Sequence, residues 1–223
     1  MILFGVNFNA YYLILFHQFK KAISMEEVRY YFLVILASIA IICVDIRNYY
    51  ESFSEVLRHA AFQVGSLITT TGFSTTDFNL WPQTSKTILV LIMFIGACAG
   101  STGGGIKVSR FVVLFKTVAK ELDSYIHPKS IKKIKMDGKP VEHEVLRSIN
   151  VYFITFITVF VVSLLIVSFD GHDLVTNFTA VTATINNIGP GLNIVGPTEN
   201  FGFFSNLSKY VFIIDMLAGR LEL

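Results

Sequence analysis

The sequence predicts an all-α polytopic membrane protein, built as two helix–turn units each held between long apolar spans. Three observations predict it: composition, the length of the apolar runs, and an internal duplication. Hydrophobic residues make up 53% of the 223 residues, charged residues 15%, and mean hydropathy is +0.60. A soluble domain carries about 45–50% apolar and about 25% charged residues, so a chain this apolar calls for lipid as solvent. Two runs meet the roughly 20-residue length of a spanning helix, YYFLVILASIAIICVDI (30–46) and INVYFITFITVFVVSLLIVSF (149–169). The duplication pairs QVGSLITTTGFSTTDF (63–78) with TNFTAVTATINNIGPGLN (176–193), an offset of 117 residues from Gly72 to Gly189.

In chain order, ILFGVNFNAYYLILF (2–16) reads as the tail of another span, without the basic start and small-residue cleavage site of a signal peptide. The run 30–46 follows. Next come a first short amphipathic helix, about 54–69, and its glycine-containing turn. TILVLIMFIGACA (87–99) is too short to span alone and resumes past a break as IKVSRFVVLFKTVAK (106–120). After a basic loop, 149–169 leads into a second short helix, about 172–186, its turn, and a last apolar run at 203–223. A helix–turn entering a bilayer partway between two spans exposes irregular backbone at membrane depth. That is tolerated only where the backbone faces protein or water. The pattern points to a cation-conducting protein.

Charge orients the spans. Lys20, Lys21 and Arg29 precede the first long run, and Lys116, Lys120, Lys129, Lys132, Lys133, Lys135, Lys139 and Arg147 lie between the two units. Asp45, Glu51, Asp77, Asp170, Asp173 and Glu199 mark the opposite ends. By the positive-inside rule the basic loops are cytoplasmic and the turns open outward. The net charge of +2 therefore reflects topology and not nucleic-acid binding. The 116–147 run reads either as a solvated loop or as a docking face for a soluble regulator.

Nothing points to covalent chemistry or a cofactor. Cys43 and Cys98 lie in apolar stretches as small hydrophobes, without partners at disulfide or metal spacing. The five histidines are scattered, and no nucleophile–base pairing stands out. GSTGGGIKVSR (100–110) superficially resembles a phosphate loop, but Ile106 intervenes before Lys107 and Val108 stands where Ser or Thr is required. Its glycines break a helix instead, each lowering helix stability by about 1 kcal/mol relative to Ala. Residues 99–106 then line or plug the path, or form a close small-residue packing site; the two readings are compatible. Asn177 and Asn206 head N-x-S/T triplets inside predicted membrane helices, which discounts glycosylation.

TTTGFSTTDF, GACAGSTGGGIKVSRF, GKPV, NNIGPGLN and MLAGRLEL together resemble the transmembrane subunit of bacterial Trk-type potassium uptake systems, within the Trk/Ktr/HKT superfamily. The resemblance implies four potassium-channel-like helix–pore-loop–helix repeats around a central pore, of which this chain matches the last two. Residues 1–19 would end the preceding repeat's inner helix, and 20–29 would be a cytoplasmic loop. The third repeat would occupy 30–120, a basic loop 121–146, and a truncated fourth repeat 147–223. Met1 and Leu223 then fall inside helices, as in a fragment or a truncated gene product.

The same resemblance implies a selectivity filter at Thr70, Thr71, Gly72, Phe73 and Ser74, and at Asn187, Ile188, Gly189, Pro190 and Gly191. Potassium, as substrate, would meet the carbonyls of Thr70, Thr71, Gly72, Asn187, Ile188 and Gly189. The physical reason agrees: stacked carbonyls replace a hydration shell, and the helix C-termini aim partial negative charge at a cation. Pro190 in place of an aromatic, and a single glycine in the first turn, suggest selectivity loose enough to admit some sodium. The gate would comprise Gly100, Ser101, Thr102, Gly103, Gly104, Gly105, Lys107 and Arg220. Arg220 reads as an electrostatic barrier paired with Asp215 or Glu222, or as a residue snorkelling at a helix end. Lys107 is open to the same two readings. A multi-pass protein of the bacterial inner membrane is implied, dimeric, with a cytoplasmic nucleotide-binding regulatory subunit, no cofactor of its own, and passive or potential-driven potassium uptake. Two rivals remain at this stage: a secondary transporter with inverted repeats, and a non-conducting fragment or regulatory subunit.

Overall fold

A computed structural model describes residues 1–127 and 133–221. Lys129, Lys132 and Glu222 lie outside the described residues. The chain is helical, with α1 (Phe8–Leu15), α2 (Phe19–Ser24), α3 (Glu26–Asp45), α4 (Phe53–Ile68), α5 (Gln83–Ile95), α6 (Val108–Ile126), α7 (His143–Val167), α8 (Leu174–Ile185) and α9 (Asn206–Arg220). Helices α3 and α7 are long and apolar enough to cross a membrane. Each buries one stripe and leaves an equally apolar stripe exposed. In α3, Val28, Tyr31, Ile35, Ser38 and Ile42 face inward while Leu33, Leu36, Ile41 and Val44 face out. In α7, Tyr152, Phe156, Phe160, Ser163 and Val167 face inward while Val151, Ile154, Ile157 and Leu165 do not. An apolar outer face suits lipid and not water.

Two cores organise the chain. One gathers Tyr31, Ile35, Val64, Leu67 and Leu89 from α3, α4 and α5. The other gathers Phe156, Phe160, Val181, Phe204 and Phe212 around α7, α8 and α9. Phe94, at the end of α5, joins them: its ring centroid lies 6.4, 5.7 and 6.0 Å from those of Phe156, Phe160 and Phe178. Such edge and tilted contacts hold aromatic pairs beyond the gain from burial alone.

The element ends have local causes. Ser52 caps α4 by accepting the Ser54 N–H, and Asp173 caps α8 by accepting the Thr176 N–H. Asp45, at the end of α3, accepts from the Ser85 N–H and hydroxyl at 3.0 and 2.6 Å, so the end of α3 caps the start of α5. The short helices run over 53–68 and 174–185 instead of 54–69 and 172–186. The predicted break at 99–106 is wider, 96–107, because Gly96 (φ 69°) ends α5 and Lys107 (φ 85°) precedes α6. The last apolar run becomes a helix only from Asn206, where Ser205 caps it. The opening stretch is not one helix: a 3-10 turn at Ile2–Gly5 is separated from α1, which Asn7 caps.

The basic loop contains a two-stranded hairpin that the helical reading does not anticipate. Strands β1 (Lys135–Met136) and β2 (Lys139–Pro140) pair antiparallel around Asp137-Gly138. Both turn residues have positive φ, 50° and 77°, the backbone of the tight hairpin turn that Asp-Gly favours.

Candidate functional site

The two helix–turn units share one backbone design. At the end of α4, Thr69, Thr70 and Thr71 donate their N–H groups to the carbonyls of Gly65, Leu67 and Ser66, at 3.3, 3.1 and 2.8 Å. At the end of α8, Asn186, Asn187 and Ile188 donate to Thr182, Thr184 and Ala183, at 3.2, 3.0 and 2.8 Å. Every donor and acceptor is displaced by the same 117 residues. Backbone signs repeat too: Thr70 and Asn187 take φ 54° and 55°, Gly72 and Gly189 take 77° and 110°. Even the caps match, since the Thr69 hydroxyl and the Asn186 amide each reach the carbonyl four residues back, at 2.6 and 2.9 Å. What repeats is hydrogen-bond register rather than residue type.

Side chains on one face of α4 buttress the first turn from behind. Gln63 donates to the Ser74 hydroxyl at 2.6 Å, Ser66 to the Phe73 carbonyl at 2.5 Å, and His59 meets Thr75 at 3.1 Å. The Phe73 carbonyl is therefore engaged by its own helix, and its ring is 68% exposed. In the second turn Thr179 receives the Leu192 N–H at 2.9 Å, and Gly191 donates to Val195 at 2.7 Å. Asn187 donates to the Met216 carbonyl at 3.0 Å, tying this turn to α9. The turns abut: a Cβ built on Gly72 would lie 2.0 Å from the Ile188 carbonyl oxygen and 3.3 Å from Pro190 Cδ. With its positive φ as well, position 72 admits only glycine without strain.

The glycine-rich segment folds as a compact excursion between α5 and α6. Its stem is closed by Ile106, Lys107 and Val108 donating N–H groups to Phe94, Ile95 and Ala97, at 3.3, 3.1 and 3.0 Å. The excursion lies against both turns. Gly104 donates to the Thr70 hydroxyl at 2.7 Å, and its ideal Cβ position is 2.7 Å from the Asn186 carbonyl oxygen. The corresponding position at Gly103 is 3.4 Å from the Thr69 carbonyl. Residues Gly103 to Lys107 are buried, while Gly100 and Thr102 stay exposed. Ser101 folds back onto the Cys98 carbonyl at 2.6 Å, and Gly100 accepts from Phe8 at 3.1 Å. Gly105 meets Gly96 across the stem.

Both basic residues reach this excursion. Lys107 is 4% exposed and its ammonium donates to the Gly103 carbonyl at 2.5 Å, so it does not snorkel. Arg220 is exposed, and its guanidinium donates to the Thr102 carbonyl at 3.3 Å. Asp215 is not its partner: it is 1% exposed and accepts from Ser163 on α7 at 2.6 Å. The other suggested partner, Glu222, lies outside the described residues. Asn177 is buried in α8, whereas Asn206 only begins α9 and is exposed, so the helix interior discounts glycosylation at the first alone. Among the described residues, no group of three His, Cys, Asp or Glu side chains could hold a metal ion.

Sequence reasoning passes over three contributors. Asn79 and Asn193 exchange hydrogen bonds at 2.9 and 3.0 Å, linking the segments that follow the two turns, and Asn193 reaches Asp173 at 2.9 Å. Glu27, at the start of α3, holds the excursion. Each pairs with residues far away in sequence, which no local pattern reveals.

Residues 10–223 match the family TrkH, described as cation transport protein. The Trk system potassium uptake protein TrkH of Salmonella typhimurium is 34% identical over 225 residues, covering 100% of this chain and 46% of that protein. The protein of the same name from Vibrio parahaemolyticus is 41% identical over 174 residues, 78% of this chain and 35% of that protein. The crystal structure of the potassium transporter TrkH from Vibrio parahaemolyticus superposes with a TM-score of 0.89 at 34% identity, covering 99% of this chain and 48% of that one. The chain spans about half the length of the relatives it matches. Its helical order, its glycine-rich excursion and a family match over nearly its whole length agree, and the chain belongs to the TrkH family of cation transport proteins.

Proposed function

We propose that this chain supplies two walls of a potassium path across the bacterial inner membrane, closed by the glycine-rich excursion. One observation carries the reading: Gly103 and Gly104 sit against the Thr69 and Asn186 carbonyls and the Thr70 hydroxyl, at the C-terminal ends of α4 and α8. Two helix ends there point partial negative charge at one place, which suits a cation and not an anion. The carbonyls of Thr70, Thr71, Gly72, Asn187, Ile188 and Gly189 would replace water around potassium as substrate. Phe73 and Pro190 would shape the outer mouth with Ser74 and Gly191.

In this reading Lys107 and Arg220 form the electrostatic part of the gate. Each holds a carbonyl of the excursion and places positive charge on the route of a cation. The exposed apolar stripes of α3 and α7 meet lipid, and the basic side faces the cytoplasm. There Lys120, Lys133, Lys135, Lys139 and Arg147 offer a surface for a nucleotide-binding regulatory subunit. The working assembly is a homodimer that takes up potassium down the membrane potential, with no cofactor in this chain. The sequence relatives named as potassium uptake proteins support the choice of substrate.

Rubidium and sodium tracer uptake into proteoliposomes holding the full-length protein tests this. Rubidium uptake in the parent, abolished by Gly72→Ala and by Gly189→Ala, is the expected result. Uptake unchanged in both variants would remove the turns from the path.

A further inference from the structure

Glu27 is 4% exposed, and both oxygens of its carboxylate accept hydrogen bonds at the mouth of the excursion. Oε1 accepts the Ala99 N–H at 2.5 Å and the Ser109 N–H at 3.3 Å; Oε2 accepts the Asn7 side-chain amide at 3.1 Å. Ala99 lies at the near end of the excursion, and Ser109 in the first turn of α6 at the far end. One carboxylate therefore straddles the loop. No side chain of its own caps α6 at Lys107, so Glu27 supplies an acceptor for an N–H that the helix leaves unpaired. A negative charge is also favourable at a helix N-terminus.

The neighbouring residue reaches the hairpin of the basic loop. The Glu26 N–H donates to Asp137 in the hairpin turn at 2.7 Å. Lys116, in the third turn of α6, binds the Glu26 carboxylate and donates to the Lys135 carbonyl at 2.7 Å. The hairpin is closed by Val141 donating to Ile134 at 2.8 Å, and Ile134 is buried. Consecutive residues of one helical turn thus hold two things: Glu26 the hairpin, Glu27 the excursion.

We propose that Glu27 is the positioning residue for the glycine-rich excursion, and that the 134–141 hairpin sets it through Glu26. A load on the hairpin shifts the first turn of α3, loosens the carboxylate from Ala99 and Ser109, and frees the loop from the helix ends. The proposal rests on the excursion being the gate.

The test is rubidium uptake by the full-length protein in proteoliposomes, without added regulator. Glu27→Gln keeps the volume but turns an amide toward backbone donors, and basal uptake is expected to rise about tenfold, the scale of one lost charge-assisted hydrogen bond. Asp137→Ala is expected to act in the same direction and more weakly. The double variant should match Glu27→Gln alone, because the hairpin acts through that carboxylate. A merely structural role for either residue gives independent effects, so uptake that multiplies in the double variant overturns the proposal. Gly103→Ala, whose new Cβ would meet that of Ala97 at 2.5 Å, separates the two levels of argument. If it changes uptake while Glu27→Gln and Asp137→Ala do not, the gate stands and the positioning role falls. If none of the three changes uptake, the gate reading falls with it. Should Glu27→Gln fail to fold, Glu27→Asp paired with Asp137→Ala completes the same cycle.

Discussion

At Thr70 the hydroxyl, and not only the carbonyl, meets the excursion, since it accepts the Gly104 N–H at 2.7 Å. Thr70→Val keeps the shape and leaves that buried N–H unpaired, a loss of about 1–3 kcal/mol. With the excursion as the proposed gate, basal rubidium uptake by the full-length protein should rise roughly tenfold; an unchanged leak would mean that the loop is held elsewhere. Residues differ in how legible they are. Gly72 and Gly189 stand out in the sequence because glycine in a turn advertises positive φ. Thr70 and Asn187 adopt φ 54° and 55° without being glycine, and nothing local marks them. Glu27 reads as an ordinary acid at a helix start, since Ala99 and Ser109 lie 72 and 82 residues away.

Among the elements, α8 shows how the cap at a helix start supports the segment that follows its other end. Asp173 accepts from the Thr176 side chain and N–H and from the Asn193 amide, and Asn193 is itself held by Asn79. Those hydrogen bonds, the Thr176 hydroxyl first, hold the Asp173 carboxyl below the usual carboxylate range despite some burial. A depressed folded value means the stabilisation is complete above the unfolded value of about 3.9 and is lost as pH falls through the folded one. Asp173→Asn should therefore melt below the parent at pH 7, with the gap closing below about pH 4. A gap that stays constant with pH would assign the effect to shape alone. The long helices and the two short ones before the turns were legible, because apolar run length and the paired turns are strong signals. Boundaries were less so: the hydrogen bonds that cap α5 and α9 come from Asp45 and Ser205, and Lys107 bends the backbone before α6. The hairpin was hidden among lysines, where charge masks a two-residue Asp-Gly turn.

Across the molecule, two positive charges converge on one loop from different helices: Lys107 from the start of α6 and Arg220 from the end of α9. Arg220→Ala removes the reach from α9 and should raise basal tracer uptake several-fold, while its midpoint of thermal unfolding stays near that of the parent because the side chain is exposed. No change in uptake would place Arg220 at the surface as a solvated residue. That the ends of α4 and α8 share one backbone design was readable from the 117-residue offset of their turns. That α9 delivers its arginine to Thr102 is marked by no local pattern; only the family resemblance groups Arg220 with Thr102. The stem of the excursion adds something at this scale. Three backbone hydrogen bonds close it between α5 and α6, so in the proposed gate a swing of the loop would leave the ladders of both helices intact. Opening of that kind would leave the outline presented to the bilayer unchanged, and the surrounding lipid would need neither to thin nor to thicken.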